Sequence, residues 1–86
     1  MKQFQYTITV PMGLHARPAG ALVKMTKSLD STITIVKEDG QSADAARLMA
    51  LMTLAVKTGQ TVTVTVEGGQ EDINFAAMER FFRENL

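Results

Sequence analysis

The segment Thr61–Glu67 alternates threonine and valine without interruption, and it constrains the fold more than any other part of the chain. Because successive side chains of a β-strand point to opposite faces, the alternation predicts a strand with valines on one face and threonines on the other. The valines need an apolar layer that covers them, whereas the threonines can remain in water. The chain must therefore supply a sheet with at least one covered face.

Three more segments predict strands. Apolar residues alternate with polar ones from residue 4 to residue 10, and residues 32–36 are mainly β-branched. The Asp-Gly pair at residues 39–40 predicts a hairpin turn. It leads into a short strand near residues 41–44.

Three segments predict helices. Residues 16 to about 28 carry apolar side chains at helical spacing, and Pro18 falls in the first turn, where its missing N–H removes no hydrogen bond. Residues 47–56 predict a short helix that stops near Gly59. Residues 70–85 predict a last helix, with acidic residues early and arginines late, as the helix dipole favours.

The predicted order β-α-β-β-α-β-α indicates an α+β open-faced β-sandwich in which helices cover one face of a four-stranded sheet. Periodicity leaves the strand order open. A length of 86 residues predicts a single domain spanning residues 1–86. Because so small a domain has little room for an internal ligand cavity, any functional site is expected at the surface.

Composition excludes several classes of function. Nine basic and nine acidic residues give zero formal net charge, which argues against nucleic-acid binding through bulk electrostatics. The chain has no cysteine and one histidine, so we expect no disulfide, no metal site and no cofactor. No segment approaches the ~20 apolar residues of a membrane span, and no signal sequence is recognisable. A soluble cytoplasmic protein is expected.

The single histidine, His15, lies just before the predicted first helix. Backbone N–H groups and the macrodipole at a helix N-terminus favour an anion, and phosphate often binds there. The N–H groups of Ala16 and Arg17 fall in this first turn, and the Arg17 guanidinium suits phosphate oxygens. His15 is therefore a candidate phosphoryl acceptor, although a lone histidine is more often an ordinary surface or capping residue.

Residues 13–19, Gly-Leu-His-Ala-Arg-Pro-Ala, resemble the active-site motif of the HPr family, the histidine-containing phosphocarriers of the bacterial sugar phosphotransferase system. The similarity extends through the pairs at residues 39–40, 48–49 and 53–54 to the closing helix. The resemblance implies an antiparallel sheet ordered 1-4-2-3, with three helices on one face. It also implies a phosphoryl carrier, not a free-standing enzyme. Such a carrier takes the group from phosphorylated enzyme I and donates it to enzyme IIA of sugar-specific permeases.

By the same resemblance, His15 accepts the phosphoryl group on Nδ1 and Arg17 stabilises it, together with the backbone N–H groups of Ala16 and Arg17. The resemblance also implies that partners dock on the short helix and on the start of the first helix. The expected partner-binding residues are Met12, Gly20, Lys24, Lys27, Arg47, Leu48, Met49 and Met52.

The residues alone leave two points about this partner surface open. Lys24 and Lys27 share a helical stripe with Arg17, and they form either a basic rim that steers acidic partners or an ordinary solvated face. Because Leu51 and Leu54 suffice to pack the short helix, its other apolar side chains form either an exposed docking patch or a part of the core under loops.

Two positions depart from the family pattern. Met12 stands where asparagine is frequent. At the start of the short helix, the regulatory serine of many relatives is replaced by Arg47, or by Ala46 if no turn insertion is counted. Neither residue has a hydroxyl group, so control by the usual serine kinase is not expected.

Three alternatives remain beside a general sugar carrier. The chain could serve a specialised branch, either nitrogen-related or dedicated to one sugar. It could be a regulatory interaction module on the same scaffold that is not phosphorylated, although the intact His15 and Arg17 weigh against this. A small RNA-binding domain is disfavoured by the zero net charge. A monomer is assumed.

Overall fold

The computed structural model describes all 86 residues and confirms the predicted order of elements. The four strands form one antiparallel sheet, in which the first strand of the chain is followed by the fourth, the second and the third. This is the order that the family resemblance implied. In chain order, the elements are β1 (Lys2–Thr7), α1 (Ala16–Lys27), β2 (Thr32–Lys37), β3 (Ser42–Asp44), α2 (Leu48–Leu54), β4 (Thr61–Glu67) and α3 (Glu71–Asn85).

The central strand β4 has the two faces that its alternation predicts. Val64 is fully buried and pairs with Phe4 of β1 on one side and Ile35 of β2 on the other. The next residue, Thr65, points to the opposite face and pairs with Gln3 and with a threonine of β2. The valine face carries the core, and the threonine face is only partly covered.

All three helices contribute buried side chains to this core. The largest fully buried side chains among these are Leu22 of α1, Leu51 of α2, and Met78 and Phe82 of α3. The Phe82 ring lies 5.5 Å from those of Phe4 and Tyr6, edge to face in both cases, a preferred geometry for aromatic pairs. None of the three helices is both long enough and apolar enough to cross a bilayer.

The bounds of two elements differ from the sequence prediction. The pattern from residue 4 to residue 10 predicts one long strand, but β1 ends at Thr7. Beyond it, the N–H groups of Thr9 and Val10 both donate to the carbonyl oxygen of Leu86, so the backbone leaves the sheet. The short helix spans Leu48–Leu54 rather than residues 47–56, because its flanking residues Arg47 and Ala55 have non-helical backbone angles.

A polar cluster that the sequence did not indicate joins the turn after α1 to the start of α3. Asn74 is buried, and its Nδ2 donates to Asp30 Oδ1 at 2.6 Å and to Ser31 Oγ at 2.7 Å. The backbone N–H of Gln70 also donates to Asp30, at 3.1 Å. The hydrogen bonds that Asp30 accepts, mainly the one from Asn74, hold the pKa of its carboxyl below its ordinary value.

Candidate functional site

His15 is the N-cap residue of α1. Its backbone is extended, with φ −89° and ψ −169°, and its carbonyl oxygen accepts the N–H of Ala19 at 2.9 Å. Its side chain makes no capping hydrogen bond. The half-buried imidazole therefore lies at the first turn, where the N–H groups of Ala16 and Arg17 have no intrahelical acceptor.

The loop before His15 is held against the segment that follows α2. The N–H of Gly13 donates to Thr58 Oγ1 at 2.9 Å, and the N–H of Leu14 donates to the Val56 carbonyl oxygen at 2.8 Å. Gly13 has φ +68°, and a Cβ atom placed on it would fall 2.4 Å from the Val56 carbonyl oxygen. Only glycine fits both the backbone angle and the close approach.

The imidazole is oriented by the same glycine. His15 Nδ1 lies 3.0 Å from the carbonyl oxygen of Gly13. Since a carbonyl oxygen only accepts hydrogen bonds, this contact requires the proton on Nδ1. In the neutral ring of this conformer, the lone pair is then on Nε2.

Arg17 lies beside the imidazole on the α1 side. It is exposed, and the three ion pairs of the structure involve other residues, so its guanidinium is available to an anion. Arg17 and His15 line one open depression of about 400 Å³, whose remaining lining residues are Val10, Pro11, Met12, Pro18, Ala21 and Asn85. No acidic side chain lines it.

A second depression also borders His15. It measures about 200 Å³ and is lined by His15 together with Met12, Leu14, Met52, Ala55, Val56 and Lys57. Lys57 and Asn85 are both absent from the sequence prediction. Both are distant from residue 15 in the chain, and no local motif marks them.

The apolar side chains expected for docking are exposed. The exposed fraction is 80% for Met12, 74% for Met49, 42% for Leu48 and 37% for Met52. The alternative that α2 hides these side chains under loops is therefore wrong. Met12 and Met52 lie beside His15, whereas Met49 lines a separate depression with Arg47.

The remaining expected partner residues lie on α1 and at the start of α2. Lys24 and Lys27 are exposed and Gly20 is half-buried, but none of the three lines either depression beside His15. Arg47 is the N-cap residue of α2 and makes no side-chain capping bond. The nearby Asp44 Oδ1 accepts the N–H of Ala46 at 2.8 Å.

Comparison with known proteins matches the chain over almost its whole length. A family model described as the PTS HPr component phosphorylation site matches residues 2–84. Phosphocarrier protein HPr of Lysinibacillus sphaericus is 37% identical over 84 residues, which cover 98% of this chain and 94% of that protein.

Solved structures show the same similarity. HPr-C-His of Thermoanaerobacter tengcongensis has a TM-score of 0.90 at 29% identity, covering 99% of this chain and 94% of that one. Crh of Bacillus subtilis, described as a swapped-domain dimer, has a TM-score of 0.75 at 30% identity, covering 100% and 98%. Sequence and structure therefore point to one group of proteins.

Proposed function

The chain belongs to the HPr family of phosphocarrier proteins of the phosphotransferase system, and from that premise we propose that His15 carries the phosphoryl group. The observation that supports this most directly is the position of the imidazole. It is at the N-terminus of α1, without a capping bond, beside the N–H groups of Ala16 and Arg17 and an unpaired guanidinium. Each of these groups favours the dianionic charge of a phosphoryl group.

The proposed reaction moves one phosphoryl group between two histidines. A ring nitrogen of His15 attacks the phosphorus of the phosphohistidine on enzyme I with its lone pair. A new N–P bond forms, the N–P bond of the donor breaks, and the donor nitrogen keeps that electron pair. Donation to enzyme IIA is the same step with His15 as the donor. Such a transfer depends mainly on positioning and charge stabilisation.

Transfer to Nδ1, the nitrogen used in the family, requires a change from the conformer described here. Nδ1 must lose its contact with the Gly13 carbonyl oxygen, and the proton must reside on Nε2 instead. The ring is only half-buried and borders two open depressions, so a rotation of the side chain meets little packing. We propose that docking of the donor selects the rotated ring.

The shallow site suits a carrier that must release what it accepts. Arg17 and the first-turn N–H groups are open to solvent on one side, and no lid or enclosed cavity is present to retain the phosphoryl group. We propose that the protein is an obligate intermediate, not a catalyst that turns over a small substrate. Residues 1–86 then act as one domain.

We propose that enzyme I and enzyme IIA domains dock on the exposed side chains around His15. Met12, Met52, Leu48 and Met49 supply the apolar part of that surface, and methionine adapts to more than one partner. Lys24, Lys27 and Arg47 supply positive charge that steers acidic partners, with Gly20 allowing close approach. A cytoplasmic monomer is consistent with this role, and sedimentation of the purified chain tests the oligomeric state.

We also propose that this carrier is not controlled by the usual serine kinase. Arg47 occupies the N-cap of α2, and Ala46 precedes it, so neither candidate position offers a hydroxyl group. This absence fits a specialised branch of the phosphotransferase system. A regulatory module that is never phosphorylated is disfavoured because His15 and Arg17 are both present and accessible.

The proposal is tested by labelling. The protein is incubated with enzyme I and labelled phosphoenolpyruvate, and acid-labile, base-stable label is measured on the wild type, His15→Ala and, as a control, Arg80→Gln. Arg80 is exposed on α3 and lines neither depression beside His15. We expect label on the wild type and the control only. Equal label on His15→Ala, or none on the wild type with any enzyme I of the source cell, contradicts the proposal.

A further inference from the structure

Lys57 and Arg17 are cationic residues that each line a depression beside His15. The two cationic residues line different depressions, and His15 and Met12 line both of them. Lys57 is the only charged side chain among the residues that line the smaller depression. Each of the two depressions that His15 lines therefore has one cationic residue in its lining.

The backbone of Lys57 is held against the loop that carries the imidazole. A Cβ atom placed on Gly13 would fall 2.6 Å from Lys57 Cα, so the two backbones are in contact. Residues on both sides of Lys57 hydrogen bond to this loop, Val56 through its carbonyl oxygen and Thr58 through its hydroxyl. The Thr58 hydroxyl also donates to the Val10 carbonyl oxygen at 2.7 Å.

The start of the Lys57 side chain is fixed from its own side as well. The N–H of Lys57 donates to Gln60 Oε1 at 2.8 Å, and its carbonyl oxygen accepts the N–H of Gln60 at 3.1 Å. The side chain itself is exposed and belongs to none of the three ion pairs. Lys57 thus presents a free ammonium group from a rigid base beside the imidazole.

A phosphoryl group presents hydrogen-bond acceptors in several directions. Its three oxygens carry up to two negative charges, and they point in different directions around the N–P bond. Arg17 and the first-turn N–H groups all belong to α1. A lysine ammonium is a compact charge with three donors on a flexible stem, and it can reach an oxygen that points away from α1.

We propose that Lys57 is a second phosphoryl-binding residue, whose ammonium contacts an oxygen of the group carried on His15. This inference rests on the proposed function, since it requires His15 to be the acceptor. It makes the site a two-sided clamp, with Arg17 held by α1 and Lys57 held by the segment after α2. The clamp joins two parts of the chain that are distant in sequence.

The test measures the charge near the phosphoryl group directly. Wild type, Lys57→Gln, Lys57→Arg and the control Arg80→Gln are phosphorylated with enzyme I and phosphoenolpyruvate, and the ³¹P resonance is titrated with pH. A cation in contact lowers the pH midpoint of the phosphohistidine. We expect Lys57→Gln to raise the midpoint by roughly half a unit, and Lys57→Arg and the control to remain at the wild-type value.

The outcomes separate this inference from the proposed function. If the wild type is phosphorylated on His15 and Lys57→Gln keeps the wild-type midpoint, the clamp is wrong and the proposed function stands. If Lys57→Gln slows transfer without moving the midpoint, Lys57 contacts a partner instead, and the clamp is again wrong. If no variant accepts a phosphoryl group on His15, the proposed function itself fails.

Discussion

His15 Nδ1 lies 3.0 Å from the carbonyl oxygen of Gly13, the glycine whose own N–H is held by Thr58 at 2.9 Å. One residue thus connects the imidazole to the segment after α2. With its positive φ, Gly13 places its N–H against the Thr58 hydroxyl and its carbonyl oxygen against the His15 ring. The imidazole is therefore positioned by a tertiary contact as well as by the helix that follows it.

Gly13→Ala should destabilise the fold strongly, because the new Cβ would meet the Val56 carbonyl oxygen at 2.4 Å and φ is +68°. We expect a loss of about 2–4 kcal/mol in the free energy of unfolding, from steric clash and backbone strain together. Gly20→Ala is the matched comparison, since a Cβ there meets nothing within 4 Å. In helix α1 it should stabilise by about 0.5–1 kcal/mol. Urea unfolding measures both, and equal effects would contradict the role of Gly13.

Arg17→Gln should slow phosphoryl acceptance by about 10- to 100-fold, since it removes a charged donor pair near the developing charge. Arg17→Lys should recover only part of that loss, because an ammonium lacks the planar fork. The initial rate of labelling from phosphorylated enzyme I measures this, with Arg80→Gln as the charge-matched control. A control as slow as Arg17→Gln would show that net charge, rather than the position of Arg17, sets the rate.

Met49→Glu should weaken partner binding while leaving the fold intact. Met49 is 74% exposed, so its replacement should change the free energy of unfolding by less than about 0.5 kcal/mol. Loss of a well-exposed apolar contact should reduce affinity by roughly 10-fold or more. Ile73→Glu is the control, because Ile73 is 64% exposed near the start of α3, at the far end from Asn85. Titration calorimetry with enzyme IIA compares them, and equal affinities would remove Met49 from the interface.

Asp30→Asn should make stability less sensitive to acid. The Asp30 pKa is lowered in the folded state, chiefly by the hydrogen bond from Asn74. A lowered folded pKa stabilises above the unfolded value of about 3.9, and that stabilisation is lost as the pH falls through the lower folded value. The wild type should therefore lose more of its unfolding free energy between pH 6 and pH 2 than Asp30→Asn. Asn74→Ala should flatten the same pH profile, and an unchanged profile in both variants would contradict the assignment.

Arg47→Ser should stabilise α2. Arg47 is the N-cap residue with extended backbone angles and makes no capping bond. A serine there can accept a first-turn N–H, which is worth about 0.5–1 kcal/mol. Urea unfolding of the variant measures the gain. A stability at or below that of the wild type would show that the guanidinium already contributes as much through other contacts.

Local pattern predicted most elements well because they had a clear period, and β3 was predicted from the Asp-Gly turn that precedes it. Thr61–Glu67 is a strand over its full predicted length, and its valines are the most central part of the core. The order of the strands came from the family resemblance alone, because alternation shows which face is buried but not which strand is the neighbour. Residues 8–10 continue the alternation, yet their backbone groups bond to residues 59–60 and to Leu86.

From the residues alone, the candidate phosphoryl site was predictable where its residues are adjacent in sequence, whereas Met52, which lines a depression with His15, was expected from the family resemblance. His15, Ala16 and Arg17 form one motif at a helix start, so a single pattern identified all three. Lys57 lines a depression with His15 because the fold brings two distant segments together, and a lone lysine after a helix carries no signal of its own. Asn74 was missed for a similar reason, since its burial depends on Asp30, which is 44 positions earlier in the chain.

The exposed methionines have one more consequence. Met12 and Met49 are 80% and 74% exposed, so their replacement disturbs few of the contacts that hold the molecule together. A duplicated gene could therefore drift at these positions and acquire a different set of client proteins while its phosphate chemistry stays intact. A few surface substitutions could then prevent two such phosphotransfer systems in one cell from exchanging phosphoryl groups.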